Sequence, residues 1–383
     1  FSNPAFTQQK KSCVLDATGS LEKLSFTLVN NEYYKVSAKN SSITGLVNIP
    51  AKYKGLPVKE IASSGFDFTD ITEVYIKPGY MEKINYAAFY MCSDLIKINF
   101  PDTLTTLGDL VFYDDTSLTE AILPESVTSL GYSVFSGCSS LKNVVFGSQI
   151  TDIDNDTLYH CKAVESLTVP FIGGTATANQ YLGYIFGSND YRYTSYVPTT
   201  LKTLTVLDSC TSISQQALYA ATNIEELHLP FVGGSLNENT FLSYLYGGET
   251  FEDNETKVPS ALKKVVLSDS CTQIGDNAFD GCETIEEVSL GDNITSIGYR
   301  AFHNCVSIES LVIPESVLTI GNSAFGEMTS LVSVNILGKS TTLGLSVFAG
   351  STSLVSIKCP DDSLNYSTTN GVLYNKNTTR SMC

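Results

Sequence analysis

The chain repeats one arrangement of apolar and polar positions every 23 residues. Its clearest copies read TQIGDNAFDGCET, TSIGYRAFHNCVS and LTIGNSAFGEMTS. In each copy an aliphatic residue precedes a glycine, and an Ala-Phe pair follows shortly after. Self-similarity at a fixed period indicates supersecondary units that bury their apolar side chains against one another. The regular repeats begin at Leu95, Leu118, Leu141, Val164, Leu201, Ile224, Leu262, Ile285, Ile308, Leu331 and Leu354.

Within a repeat, positions 1, 4 and 6 are mostly aliphatic, as in the repeat that begins at Ile308. The alternation at positions 4 and 6 predicts a strand with one buried face. Positions 3 and 5, here Ser310 and Val312, then point outward. A Pro or Gly often follows and ends the strand. Position 18 is Phe or Leu, and stacking the repeats joins these side chains into one continuous core.

The repeat resembles the BspA-like class of leucine-rich repeats. The copies LTEAILPESVTSLGYSVFSGC and IESLVIPESVLTIGNSAFGEM carry the resemblance, which covers about residues 46–360. It implies an α/β repeat fold: a leucine-rich-repeat solenoid of about 12 repeats with period 23. A parallel β ladder is expected on the concave face, and short strands or helical turns on the convex side. Members of this family are typically cell-surface or secreted proteins that bind other molecules.

The pattern divides the chain into three parts. Residues 1–45 and 360–383 are expected to be flanks that cap the end repeats. Residues 46–359 form the solenoid, which contains two long repeats at 164–200 and 224–261.

The two long repeats carry similar inserts. The first insert (residues 170–198) contains QYLGYIFG and the second insert (residues 230–259) contains TFLSYLYG. Each segment predicts one or two helical turns closed by a glycine. Insertions in a repeat array project as loops on one face, often the binding face. The alternative is a structural variant whose aromatic side chains pack on the neighbouring repeat. The candidate binding residues are Tyr181, Tyr184, Phe186, Tyr191, Tyr193, Tyr196, Tyr244, Tyr246 and Phe251.

Composition and charge narrow the function. The formal net charge of −17 disfavours nucleic acid as a partner. No apolar run is long enough to predict a membrane span. Several of the 10 cysteines keep a fixed repeat position, Cys138 and Cys305 among them, which favours buried free thiols. Cysteines at the same position of adjacent repeats are expected to lie close together, so a disulfide between them is the alternative. No metal-ligand spacing and no cofactor motif is present, so neither a metal nor a cofactor is expected.

These patterns predict an extracellular or cell-surface binding protein without enzymatic activity, similar to an adhesin. Its partner is expected to be a protein or a carbohydrate, for example a molecule of a host or of the extracellular matrix. The concave strand face and the two inserts would make the contacts. A purely structural spacer, holding another domain off the cell surface, is the alternative. The remaining alternative is an enzyme such as a glycosidase. It would need two carboxylates about 5–10 Å apart in a cleft.

Overall fold

The computed structural model describes residues 21–178, 180–238 and 240–376. The chain divides into two compact units, an N-terminal unit (Phe1–Leu201) and a C-terminal unit (Lys202–Cys383). The prediction of a repeat solenoid is confirmed: the chain is a parallel β-solenoid of about 14 turns with a period of about 23. It contains little helix. The sequence predicted about 12 repeats.

The N-terminal unit builds three parallel ladders. One runs β2-β5-β7-β9-β11, and the others are β3-β6-β8 and β10-β12-β13. The strands β1 and β2 form an antiparallel hairpin within the first 45 residues. The bounds are β1 (Leu24–Val29), β2 (Tyr33–Ala38), β3 (Thr44–Ile49), β4 (Lys52–Tyr53), β5 (Leu56–Ile61), β6 (Asp70–Ile76), β7 (Lys83–Ile84), β8 (Lys97–Ile98), β9 (Thr106–Leu107), β10 (Glu120–Ile122), β11 (Ser129–Leu130), β12 (Asn143–Val145) and β13 (Ser166–Val169).

The C-terminal unit continues the same design. Its parallel ladders are β14-β15-β16-β18, β17-β19-β21-β23 and β20-β22-β24, and β25 and β26 form a hairpin. The bounds are β14 (Thr203–Val206), β15 (Glu226–Leu229), β16 (Lys264–Leu267), β17 (Gln273–Ile274), β18 (Glu287–Ser289), β19 (Ser296–Ile297), β20 (Ser310–Ile313), β21 (Thr319–Ile320), β22 (Ser333–Ile336), β23 (Thr342–Leu343), β24 (Ser356–Lys358), β25 (Tyr366–Thr369) and β26 (Val372–Asn375).

Helix appears in both long repeats. Short 3-10 helices η1 (Leu182–Phe186), η2 (Leu242–Tyr246) and η3 (Phe251–Asp253) lie there, together with one turn of α-helix, α1 (Asn254–Lys257). In the regular repeats the segment before position 18 forms hydrogen-bonded turns instead.

Strand register follows the period. Ser310 pairs with Ser333, and Leu311 with Val334, so identical repeat positions lie side by side. In the strand β20, Leu311 and Ile313 are buried, whereas Ser310 and Val312 are exposed. The predicted inward and outward faces of the strands are therefore confirmed.

Phenylalanine rings at position 18 stack along each unit. Phe112 lies 5.4 Å from both Phe89 and Phe135, measured between ring centroids. Phe279 and Phe302 stack at 5.0 Å in the C-terminal unit. All five rings are fully buried. Truncating one of them to alanine removes apolar contacts and leaves a cavity, at a cost of about 3–5 kcal/mol.

Two positions adopt a left-handed backbone in most repeats, which the sequence did not predict. Position 16 is left-handed in Ala87, Leu110, Ser133, Gln216, Asn277, Arg300, Ser323 and Ser346. Position 20 is left-handed in Phe68, Met91, Asp114, Gly137, His160, Gly281, Asn304, Glu327 and Gly350. Only glycine, and to a lesser extent asparagine and aspartate, adopts this conformation at little cost.

The cysteines at repeat positions are free thiols. All eight cysteines that the structure describes are unbonded, and Cys13 and Cys383 lie outside the described residues. The Cys138 Sγ donates to the carbonyl oxygen of Phe112 at 3.0 Å, and the Cys305 Sγ donates to that of Phe279 at 3.1 Å. The thiol thus satisfies a buried carbonyl of the preceding repeat, and the interpretation as buried free thiols is confirmed at these positions.

Candidate binding surface

The first insert follows the strand β13 and contains η1, the predicted helical turn. Tyr181 is extended and precedes the helix, and Gly187 ends it with a φ of 95°. The Gly187 N–H donates to the carbonyl oxygen of Tyr184 at 2.9 Å. A Cβ at Gly187 would also lie 2.5 Å from the Tyr159 ring. Glycine is therefore required here by both backbone conformation and space.

The helix η1 takes the place that the turn of a regular repeat occupies. In regular repeats the N–H at position 18 donates to the carbonyl oxygen at position 17 of the next repeat, as Phe112 does to Val134. Leu158 donates in the same way to Ile185, at 2.8 Å. Phe186 is therefore at position 18 and belongs to the core.

The second insert follows the same rule. Leu218 donates to the carbonyl oxygen of Leu245 at 2.8 Å, which places Tyr246 at position 18. Tyr246 is buried, and burial raises the pKa of its hydroxyl. Phe186 and Tyr246 were both predicted to bind a ligand. Both side chains are buried, so neither projects from the surface as an exposed contact.

The tail of the first insert encloses a cavity. Its volume is about 440 Å³, and it lies between the turn of residues 158–162 and the tail of residues 194–199. Phe186 contributes to its floor. The rings of Tyr159 and His160 lie 3.8 Å apart on one wall, and Tyr196 lies on the other. The lining combines aromatic rings with polar side chains such as Lys162 and Ser195, which makes this cavity a candidate ligand-binding site.

A compact turn holds the start of this tail. The Arg192 Nε donates to the Asp190 Oδ1 at 2.9 Å, and the Arg192 backbone N–H donates to the same oxygen. These bonds lower the pKa of Asp190 to about 2, so the carboxylate stays charged. The Arg192 guanidinium also lies 5.8 Å from the centre of the Tyr191 ring. The turn fixes where the next residues emerge.

Two of the predicted tyrosines then face solvent. Tyr193 is 54% exposed and Tyr196 is 39% exposed, and their ring centroids lie 6.3 Å apart. Tyr181, Tyr184 and Tyr191 are half-buried. Tyr181 and Tyr184 meet edge to face at 5.9 Å.

The tail of the second insert differs in chemistry. Asp253 forms a capping box with Thr250 at the start of η3, and the N–H groups of Glu249 and Thr250 lower the pKa of its carboxyl. Among the exposed side chains of this tail, Glu252 and Glu255 are acidic and Lys257 is basic. The predicted Tyr244 and Phe251 are half-buried.

One buried amide anchors the second insert. The Asn254 Oδ1 accepts the Ser243 N–H at 2.8 Å, and the Asn254 Nδ2 donates to the carbonyl oxygen of Asp280 at 3.0 Å. Asn254 is buried. No sequence pattern indicated this role, because a single asparagine in an acidic loop is typical of solvent exposure.

The outward strand face of the C-terminal unit carries a network of charges. The Lys264 Nζ lies 3.5 Å from the Glu226 Oε1 and 3.3 Å from the Glu287 Oε1. The His228 Nε2 lies 3.0 Å from the Glu226 Oε1, and Ser289 Oγ donates to Glu287. Each exposed pair contributes at most about 1 kcal/mol to stability. The network therefore serves mainly as a patterned polar surface.

Other types of site are not supported by the described part of the chain. Over residues 21–178, 180–238 and 240–376, no three His, Cys, Asp or Glu residues come together in a way that holds a metal ion. Within these same ranges, no helix has the length and apolar character that a membrane crossing requires.

Several solved structures resemble this chain weakly. A leucine-rich repeat protein from Bacteroides ovatus is 22% identical, with 92% of this chain and 95% of that chain covered and a TM-score of 0.33. A leucine rich cell surface protein from Faecalibacterium prausnitzii is 19% identical, with 91% and 95% covered and a TM-score of 0.31. The pneumococcal vaccine antigen PcpA is 19% identical, with 89% and 87% covered and a TM-score of 0.37. No curated protein matches the sequence.

The repeats themselves assign the family. The sequence matches the BspA type leucine rich repeat region, described with six copies, over residues 59–181, 191–247 and 249–377. These ranges cover most of the chain and most of both long repeats. The chain belongs to the family of BspA-type leucine-rich-repeat proteins.

Proposed function

We propose that this chain is a cell-surface or secreted protein that binds a partner protein, without catalysis, in the manner of an adhesin. In the N-terminal unit the proposed binding surface consists of Tyr193, Tyr196 and the cavity that Tyr196 lines. The outward strand face of the C-terminal unit is a separate candidate contact surface. Family membership supports a role in protein interaction.

The observation that carries the proposal is the exposure of Tyr193 and Tyr196, the second of which lines the 440 Å³ cavity. Tyrosine offers a large, rigid contact area with a polar end, and it loses little conformational entropy on binding. The ion pair of Asp190 and Arg192 holds the preceding turn, so part of the ordering cost is met before a ligand arrives. A spacer needs neither feature.

A binding screen tests the proposal. The intact chain is presented to a panel of extracellular-matrix proteins and, separately, to a glycan array. The test variant is Tyr193→Ser/Tyr196→Ser, and the matched control is Glu252→Ser/Glu255→Ser in the second insert. All three chains must show the same thermal unfolding midpoint.

Loss of protein binding in the tyrosine variant, with binding retained in the control, supports the first insert as the site. Equal binding by all three chains moves the contact to the outward strand face, where Lys264→Gln is the next variant. A chain that binds nothing in the panel supports the spacer instead. Binding to glycans alone makes the partner a carbohydrate.

A further inference from the structure

A second surface of the N-terminal unit lies outside the inserts and the outward strand face. It is formed by the turns at positions 15–20 and consists of Phe68, Tyr90, Met91, Tyr113 and Tyr132, here called the aromatic stripe. The Phe68 and Tyr90 rings meet at 5.5 Å, and Tyr90 and Tyr113 stack at 5.2 Å with an interplanar angle of 9°. Phe68 is 61% exposed and Met91 is 39% exposed.

The conformation of Phe68 and Met91 makes this exposure unusual. Both lie at repeat position 20 with a left-handed backbone, at φ values of 52° and 55°. Glycine fills this position at Gly137, Gly281 and Gly350. A bulky side chain is strained there, and these two gain little burial in return. The fold requires the left-handed backbone at position 20 but not a bulky apolar side chain on it, and strain of this kind is a pointer to function.

Carboxylates surround the stripe. Asp67 and Asp114 adjoin Phe68 and Tyr113 in sequence, and Asp94 is exposed three residues after Met91. The Tyr132 hydroxyl donates to the Asp156 Oδ2 at 3.2 Å. Asp114 lies close enough to Tyr113 to raise the pKa of that hydroxyl. The segments 62–70, 85–95, 108–118 and 131–141, which form these turns, contain neither Lys nor Arg.

We propose that the aromatic stripe binds a cationic, amphipathic segment of a partner protein. Apolar side chains of the segment would cover Phe68 and Met91. Its Arg or Lys groups would lie against the tyrosine rings and pair with Asp94 and Asp114, since a cation is attracted both to a ring face and to a carboxylate. An anionic or purely apolar partner would leave these carboxylates without counter-charges. This site is independent of the function proposed for the inserts.

A peptide titration tests the stripe. The probe is a short peptide that alternates Arg and Leu and carries one Trp, whose fluorescence is free of background because the chain contains no Trp. One matched peptide replaces Arg with Glu, and another replaces Leu with Ser. Titrations run in about 0.15 M salt, which weakens non-specific attraction to the acidic chain.

Two variants remove the two halves of the site. Phe68→Asn/Met91→Asn removes the apolar groups with a residue that tolerates the left-handed backbone, and Asp94→Asn/Asp114→Asn removes the charges. The matched controls are Tyr299→Ser, at the repeat position of Tyr132, and Glu309→Gln/Glu315→Gln, which makes the same change in charge. Circular dichroism and the unfolding midpoint verify the fold of each chain.

The Arg-Leu peptide is expected to bind, with affinity at least about tenfold lower for either stripe variant and unchanged for either control. Equal binding by the stripe variants overturns the proposal. If the Arg-Ser peptide binds as tightly as the Arg-Leu peptide, charge attraction alone explains binding and the proposal is overturned. Tighter binding of the Glu-Leu peptide than of the Arg-Leu peptide also overturns it. If Phe68→Asn/Met91→Asn fails to fold, the affinity of Asp94→Asn/Asp114→Asn decides the test. The proposal is also contradicted if the parent chain does not bind the Arg-Leu peptide and instead binds lipid vesicles or glycans, with this binding lost in the stripe variants.

Discussion

Leu158 donates its backbone N–H to the carbonyl oxygen of Ile185 at 2.8 Å, the same bond that joins position 18 to position 17 of the next regular repeat. The first long repeat therefore regains the regular pattern at η1, and its insert has two parts with different roles. The helix completes the core, and the tail that follows projects.

The two parts should respond differently to mutation. Phe186→Ala removes a core ring and should lower the free energy of unfolding by about 3–5 kcal/mol. Tyr193→Ala removes an exposed side chain and should change it by no more than about 0.5 kcal/mol. Urea unfolding at constant slope measures both. Equal losses would contradict the assignment of Phe186 to the core.

Asp115 provides a test of pH dependence. It stands at position 21, the position of Cys138 in the next repeat, and it is fully buried. Its Oδ1 accepts a hydrogen bond from the Cys92 N–H at 2.7 Å, whereas its Oδ2 is buried without a hydrogen-bond partner. Burial raises the pKa of Asp115 well above its ordinary value. The folded chain therefore keeps this proton at pH values where the unfolded chain has already released it.

Stability linked to Asp115 is fully present below the unfolded pKa of about 3.9 and falls as pH rises above it. Asp115→Ser should remove this fall. Ser351 shows that serine fits position 21, since its Oγ accepts from Met328 and donates to Phe325. In urea unfolding between about pH 4 and pH 8, the free energy of unfolding of the variant should rise with pH relative to that of the parent chain. Parallel stability curves would contradict a protonated Asp115.

The cysteine columns predict slow thiol labelling. Burial raises the pKa of Cys92 to about 12, and it also raises the pKa values of Cys138 and Cys305. Only the thiolate reacts, so these groups should stay unlabelled at pH 8 until the chain unfolds. Cys359 is half-buried and should react first among the described cysteines. A Cys13→Ser/Cys383→Ser background keeps the measurement to those residues. Rapid labelling of Cys138 in the folded chain would be inconsistent with its burial.

Asn254 should be critical for the second insert. Asn254→Ala leaves the Ser243 N–H and the Asp280 carbonyl oxygen without this partner, at a cost of about 1–3 kcal/mol for each buried group that stays unsatisfied. Glu255→Ala, at an exposed neighbouring position, is the control and should be close to neutral. The unfolding midpoint is the measurement, and equal midpoints would rule out an anchoring role.

The repeat period predicts the ladders and the core, because a fixed spacing of apolar residues leaves stacking as the only way to bury them. It does not predict the left-handed positions. Position 16 holds Ala87, Leu110 and Arg300, whose side chains show no preference for that backbone. Such residues adopt it because the hydrogen bonds to the neighbouring repeats require it.

The inserts show a different limit. The segments YIFG and YLYG already contain the aromatic residue of position 18, followed by a glycine, but the longer spacing conceals the match. A search for the position-18 aromatic at variable spacing would have placed Phe186 and Tyr246 in the core. The exposure of Tyr193 and Tyr196 depends on the turn at Asp190 and Arg192, which no repeat pattern encodes.

Binding through the first insert is tested most directly by hydrogen–deuterium exchange of the intact chain, with and without a protein partner found in the matrix panel. The account predicts slower exchange of residues 191–199 in the complex, and unchanged exchange there when Tyr193→Ser/Tyr196→Ser replaces the parent chain. A partner that binds tightly yet leaves residues 191–199 unprotected would contradict it.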